Sequence, residues 1–367
     1  MIEFENEMML HKKMIVIFII SLLVIVIAGC AMFQRDFPTY PTSPNYDAAQ
    51  GKFVNPQPLR SVSFTDGVSG LFKMLQGESQ YGPKAEFPML KPDWPLFLSD
   101  NGKSRFIWFG HSTLLMRVGQ QTIAVDPVLG ASVSPIAINM RRYQAPAAPL
   151  DEWPEVNVVL LSHAHYDHFE NDTLKPLADN AAHFIVPLGM SAYLIPLGVD
   201  KGQITELDWW QSITYAGVNY TLVPAWHNSG RSLSDGNKSF WGGYVIQYAD
   251  ETIYYSGDTA YGPHFAEIGR RFPNIDVAFI ENGQYDLRWP DDHMLPGLTV
   301  QAAVDIKPQR VVPVHWGAYT MAFHPWDEPV RESVPRMKEQ GLQPLTPLQG
   351  QVFDANTATT EWYLSQD

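Results

Sequence analysis

From Arg105 onward the chain alternates short apolar runs with polar turns. Phe106–Phe109, Thr113–Val118 and Thr122–Val125 read as consecutive strands, the last two joined by Gly119-Gln120-Gln121. Val156–Leu161 is apolar except for Asn157, the pattern of a strand covered on both faces. Further strands are expected at Tyr220–Val223, Tyr244–Tyr248, Thr252–Tyr255, Val277–Ile280 and Val311–Val314. Helical spacing fits Gly262–Arg271, Thr299–Ile306 and Glu328–Gln340. Strands first, then strands mixed with helices, predict an α/β fold of two sheets with helices outside them.

Ahead of this body the pattern changes. Met14–Ala28 is almost wholly apolar and follows His11-Lys12-Lys13, as in the basic and apolar regions of a secretory signal. It is short for a membrane span, which needs about 20 apolar residues. The run ends Ile27-Ala28-Gly29-Cys30, which resembles a bacterial lipobox with Cys30 as the lipidated, mature N-terminus. A plain anchor helix with an incidental cysteine is the alternative. The resemblance implies a bacterial cell-envelope protein held to a membrane by its lipid. Ala31 after the cysteine points to the outer membrane if the source is Gram-negative. Phe33–Pro58 carries Pro38, Pro41, Pro44, Pro56 and Pro58 without periodicity and reads as an extended tether outside the core. Ser61–Ser99 combines a short helix expected at Gly70–Gln76 with proline-rich coil, an extension packed on the body.

Composition narrows the function. Of 367 residues, 45% are hydrophobic and 17% charged, so a sizeable core is available and wholesale disorder is excluded. The net charge of −14 lacks the electrostatic footprint of a nucleic-acid binder. The one cysteine excludes an internal disulfide and any multi-cysteine metal site, leaving 11 histidines as the stock of metal ligands.

The strand Val156–Leu161 runs into Ser162-His163-Ala164-His165-Tyr166-Asp167-His168. Residues two apart in an extended segment project to one side, so His163, His165 and Asp167 can converge while His168 serves a second ion. Imidazole with carboxylate suits zinc and, less selectively, manganese or iron. Three more candidates each follow a strand: His227 after Val223-Pro224-Ala225-Trp226, Asp258 after Ser256-Gly257, and His315 after Val314. Singly each is weak; with the cluster they supply what two metals need.

His163-Ala-His165-Tyr-Asp167-His168 resembles the HxHxDH signature of the metallo-β-lactamase superfamily. That resemblance implies a four-layer αββα sandwich and two zinc ions. His163, His165 and His227 would hold one, Asp167, His168 and His315 the other, and Asp258 would bridge them. Within the superfamily, several stretches are similar to the branch of phospholipases D that hydrolyse N-acylphosphatidylethanolamine. They include Trp108-Phe-Gly-His111-Ser-Thr, Asp208-Trp209-Trp210, Pro224-Ala-Trp-His227, Ser256-Gly-Asp258-Thr-Ala-Tyr261 and Val314-His315-Trp316-Gly317. The resemblance covers roughly Lys52 to Leu342. Departures lie at Gly130–Gln144, which lacks the branch's Gly-Pro-Lys run, and at Glu281-Asn282, where a more apolar pair is usual. The expected division is a signal at 1–29, a tether at 30–58, a packed extension at 59–104 and the hydrolase domain at 105–367.

The function so implied is a phosphodiesterase of phospholipase D type, acting on N-acylphosphatidylethanolamine or a related glycerophospholipid. A hydroxide shared by two zinc ions would attack the phosphorus. Asp167 would handle the proton of that hydroxide. His293, in Asp291-Asp292-His293-Met294, takes the branch's position for a histidine facing substrate, where it would bind the phosphate or protonate the leaving alkoxide. A surface histidine on a polar loop is the alternative. His111 and Asp126 are expected to orient metal-bound groups, and His183, His264 and His324 to be ordinary packing or surface histidines. Arg141 and Arg142 are candidates for phosphate contact. Trp209, Trp210, Trp226, Trp241, Trp289 and Trp316 are expected mostly in the core. The competing function is hydrolysis of a soluble ester, such as a lactone or a phosphorylated sugar lactone. A non-catalytic envelope lipoprotein is disfavoured because all seven ligand positions are filled.

Overall fold

The computed structural model describes residues 35–60, 65, 69, 81–100, 102–134, 140–180, 182–232 and 234–365. The expected signal, Cys30 and the helix expected at Gly70–Gln76 lie outside the described residues. Among the described residues no helix is long and apolar enough to cross a membrane.

A two-residue hairpin, β1 (Tyr46–Asp47) and β2 (Lys52–Phe53), and a short helix α1 (Trp94–Leu98) precede the sheets. The chain then lays down β3 (Arg105–Trp108), β4 (Leu114–Val118), β5 (Gln121–Val125) and β6 (Val158–Leu160). After helix α2 (Asn171–Asp179) come β7 (His183–Pro187), helix α3 (Ser191–Leu194) and β8 (Ile204–Leu207). The second sheet is built from β9 (Ser212–Tyr215), β10 (Val218–Val223), β11 (Gly243–Tyr248), β12 (Glu251–Tyr255), β13 (Val277–Glu281) and β14 (Arg310–Val314). Helix α4 (His264–Arg271) follows β12, α5 (Pro296–Ile306) follows β13, and α6 (Glu328–Glu339) follows β14. Finally β15 (Val352–Phe353) returns to the first sheet, whose order is β15-β3-β4-β5-β6-β7-β8; the second runs β14-β13-β12-β11-β10-β9.

Side-chain alternation builds the layers. Phe106, Trp108, Leu114, Met116, Val158 and Leu160 of the first sheet face Tyr244, Ile246, Ile253, Tyr255, Phe279 and Val314 of the second in one central core. Their neighbours point outward: Ile107, Leu115, Val159 and Phe184 meet α1, α2 and α3, while Val245, Tyr254, Ala278 and Val311 meet α4, α5 and α6. The result is an αββα sandwich of the α/β class. The strands β3, β5, β6, β10, β12, β13 and β14 all end at the same edge of this sandwich. In sheets of this kind, ligands bind beyond the carboxyl ends of the strands.

Two expectations need revision. The elements α2, β7, β8 and β9 add to the expected set; Pro176 inside α2 masks its helical signal. The stretch 30–58, expected as a free tether, packs on the body over its described part. Phe53 is fully buried, stacks on Phe240 at 4.6 Å and belongs to the central core, and the Tyr40 hydroxyl donates to Glu206 at 2.8 Å. The aromatics between the prolines outweigh the stretch's lack of periodicity.

Candidate metal centre

Every candidate ligand lies past a strand end, and at three strand ends a non-glycine residue bends the backbone sharply. His111, Asp126 and His315 have φ of 52°, 40° and 69°. Non-glycine residues held in the left-handed region cost on the order of 1–3 kcal/mol each and gather at functional sites. Here the bends are locked pairwise, since His111 N–H donates to Trp316 O at 2.7 Å and His315 N–H donates to His111 O at 2.8 Å. Gly257, before Asp258, has φ of 60°, and a Cβ there would lie 2.8 Å from Gly242 O and 3.0 Å from Ser162 Cβ. The close approach fixes glycine at this turn.

Two groups of side chains meet. In the first, His165 Nδ1 faces His163 Nε2 at 2.8 Å and His227 Nε2 at 3.2 Å. In the second, Asp167 Oδ2 lies 2.8 Å from His111 Nε2 and 3.1 Å from His168 Nε2, with His315 beside them. Asp258 stands between the groups. Its Oδ2 is 3.0 Å from His168 Nε2 and 3.8 Å from both His163 Nε2 and His227 Nε2, and its Oδ1 is 3.1 Å from His315 Nδ1. The structure thus brings together all seven expected ligands. It also adds His111 to the second group.

The outer nitrogens are held by protein. Asp126, fully buried, accepts from His168 Nδ1 at 2.7 Å, from the Ser162 and Tyr255 hydroxyls at 2.5 Å each, and from Ser162 N–H at 2.7 Å. His227 Nδ1 meets Asp292 O at 3.1 Å, and His315 Nδ1 meets Ser112 Oγ at 3.0 Å. Such anchoring leaves Nε2 of His168 and His227 for the centre, the usual arrangement of metal-binding histidines, while His315 Nδ1 lies between Ser112 Oγ and Asp258 Oδ1.

The donor set fits a divalent metal on its own chemistry. Burial drives the His163 and His227 imidazoles well below their ordinary pKa, and neighbouring histidines push His163 further down, so facing nitrogens in the first group carry lone pairs. Burial would also lower His168, but Asp258, Asp167 and Asp126 more than offset it. Burial would raise Asp258, yet His168 and His315 hold it below the usual carboxylate range. Although these charged groups crowd together, His168 Nε2, His315 Nε2 and both Asp258 oxygens have no partner in hydrogen-bond geometry among the described residues. Buried polar atoms converging without partners are rare unless a cation satisfies them.

His293 lies at the rim of the same centre. Its ring stacks on His315 with centroids 5.0 Å apart and is 5.4 Å from His227. Its Nδ1 meets Glu281 Oε1 at 2.8 Å. Glu281 was noticed in the sequence only as a departure, since nothing local ties position 281 to position 293. Arg142, a candidate for phosphate, is instead a loop staple: its guanidinium donates to the carbonyls of Phe109, Val128 and Gly130. Trp209, Trp241 and Trp316 are buried in the central core, with Trp210 packed against it. A cleft of about 430 Å³ opens beside the centre, lined by Val54, Asn55, Arg60, Asn228 and Asp292, and the Asn55 amide donates to His227 O at 2.7 Å.

Comparison with known proteins agrees with this architecture. Residues 121–316 match the Beta-lactamase superfamily domain, a span holding all seven ligand candidates. The chain belongs to the metallo-β-lactamase superfamily. An uncharacterized protein of Mycobacterium tuberculosis is 34% identical over 319 residues, covering 85% of this chain and 84% of the relative. The N-acyl-phosphatidylethanolamine-hydrolyzing phospholipase D 1 of Caenorhabditis elegans is 27% identical over 291 residues, covering 73% and 81%. A metallo hydrolase of the archaeon Ignicoccus hospitalis has the same fold, with a TM-score of 0.54 at 21% identity over 68% of this chain and 97% of that one. The protein is accordingly a metallo-hydrolase of this superfamily.

Proposed function

We propose that the protein is a zinc-dependent phosphodiesterase of phospholipase D type, acting on N-acylphosphatidylethanolamine or a closely related glycerophospholipid. The observation that carries this reading is the convergence of seven ligands and His293 at one sandwich edge, in a chain similar to the nematode phospholipase over most of its length. His163, His165 and His227 would hold one ion; Asp167, His168 and His315 the other; Asp258 would serve both. His111, with Nε2 2.8 Å from Asp167 Oδ2, would orient that carboxylate. When bound, such ions supply Lewis acidity toward a phosphoryl oxygen and make water acidic near neutral pH.

The chain's own groups do the rest. Asp167, held by His111, takes a proton from the attacking water. His293 presents Nε2 to the leaving oxygen and gives it a proton. The new bond joins water oxygen to phosphorus, the bond from phosphorus to the ethanolamine oxygen breaks, and N-acylethanolamine and phosphatidic acid leave. The cleft beside His227 is of head-group size. The lipobox-like end at Cys30 would place this centre at a bacterial membrane surface, where the lipid lies.

Full-length protein in detergent, given N-acylphosphatidylethanolamine in mixed micelles, should release N-acylethanolamine, lose activity on chelation and regain it with zinc. Two bound zinc ions without release would move the reading to lactones and other soluble esters. Cys30→Ser should release the protein from the membrane fraction while turnover of micellar lipid stays unchanged; unchanged retention would favour an uncleaved anchor helix.

A further inference from the structure

The departure from the related branch at Glu281 sits directly under His293. Glu281 closes β13 with its side chain fully buried. Its Oε1 lies 2.8 Å from His293 Nδ1 and accepts from Met294 N–H at 3.3 Å, while Oε2 accepts from Thr259 N–H at 2.9 Å. Thr259 N–H and Met294 N–H fix an acceptor at each oxygen, so an amide at this position would turn its NH2 against one of them. Thr259 and Met294 directly follow Asp258 and His293, so one carboxylate ties the Asp258 turn to the His293 loop. One ligand-type atom each of Asp258, His293 and His315 lie within 4.8 Å of one another. With Nδ1 taken, Nε2 is the His293 nitrogen left for the centre.

We propose that Glu281 is the positioning residue of His293, holding Nδ1–H so that Nε2–H points at the leaving oxygen of the scissile phosphodiester. This rests on the reading of His293 as proton donor given above. As water oxygen bonds to phosphorus, the leaving oxygen departs with the electron pair of its phosphorus bond and takes the Nε2 proton. Solvent then restores the proton to Nε2. The buried carboxylate keeps the ring from turning and keeps both ring N–H groups in place. Glu281 itself touches no substrate atom.

The test compares leaving groups. An alkoxide such as ethanolamine oxygen needs protonation, whereas p-nitrophenolate does not. In the full-length protein, Glu281→Ala should lower turnover of N-acylphosphatidylethanolamine about 10- to 100-fold with KM little changed, the usual cost of losing such a partner. Hydrolysis of bis(p-nitrophenyl) phosphate should change less than about threefold. Adding Glu281→Ala to His293→Ala should cost nothing further, because the two act as a unit.

A second readout is independent of substrate. The carboxylate-bound Nδ1–H should give a far-downfield proton resonance that disappears in both Glu281→Ala and His293→Ala and persists in His183→Ala. Should Glu281→Ala not fold, Glu281→Gln retains the volume and one acceptor; it should shift that resonance and lower the alkyl-to-aryl rate ratio. A resonance lost in His293→Ala but unmoved in the folded Glu281 variant overturns the proposal, as does loss of a bound ion in either variant, which would make His293 a ligand. Failure of the phospholipase D reading shows separately, as wild-type protein that releases no N-acylethanolamine while the resonance still tracks Glu281.

Discussion

The two sheets furnish the centre in different ways. The first concentrates most of its share in one stretch, with His163, His165, Asp167 and His168 falling within six residues after β6, and adds His111 beyond β3. The second disperses its share as single residues beyond separate strands: His227 after β10, Asp258 after β12, Glu281 at the end of β13 and His315 after β14. A compact motif is set by one loop's geometry. A dispersed set converges only if strand pairing and register are right across the whole second sheet. The first half therefore supplies a locally fixed set of ligands, and the second decides whether the full set converges.

Substituting the one residue both groups share should have the largest effect. Asp258 lies within 3.0–3.8 Å of histidines from each group, so Asp258→Asn should lower metal content at both positions. Turnover should fall on the order of 10³–10⁴-fold, matching the several kcal/mol that metal assistance supplies. Elemental analysis of the folded variant checks this, and loss of one equivalent only would show that the groups load independently. His165→Ala removes a ligand of the first group alone. It should release about one ion and lower turnover on the order of 10²–10³-fold while the second ion stays.

The contrast between the halves also explains what was legible before any coordinates. The strand Val156–Leu161 and the four ligands after it are local in sequence, so spacing alone exposes them. His227, Asp258 and His315 carry no local signal stronger than a position after an apolar run, which marks them as candidates only beside the cluster, and resemblance gives them their roles. Glu281 was legible as an oddity without a purpose, because its partner lies 12 residues on, across a loop. The burial of Phe53 was masked for a similar reason. Its partners, Phe240 and Tyr40, are reached through tertiary packing that periodicity does not encode.

Asp126 offers a sharper cut between the halves, because it stands on the first sheet yet accepts from Tyr255 on the second. Its carboxylate fixes His168 Nδ1 directly at 2.7 Å and reaches His163 Nδ1 only through the Ser162 hydroxyl, 2.5 Å from Asp126 and 2.9 Å from that nitrogen. Asp126→Asn should therefore weaken metal binding at the second group about 10- to 100-fold and weaken the first, reached only through Ser162, by less. Competition against a chelator of graded strength would read the two steps apart. Equal weakening of both would mean that Asp126 acts by joining the sheets through Tyr255, and not by holding His168.

The smallest effect is expected from a histidine on the first sheet that the centre does not use. His183 opens β7, with Nε2 2.9 Å from Thr205 Oγ1 and its ring stacked on Tyr215 at 4.3 Å. β7 runs parallel to β6, so its first residue lies at the opposite edge from the strand ends that carry the ligands. The strand's length, about 3.3 Å per residue, separates it from the cluster. His183→Ala removes a half-buried ring with one neutral hydrogen bond, which should cost stability on the order of 1 kcal/mol. Metal content and turnover should stay within about twofold of wild type, the range of a remote surface change. A larger loss of metal would mean that the β7 edge is coupled to the centre through β6, so that the first sheet's half of the site depends on more than its one loop.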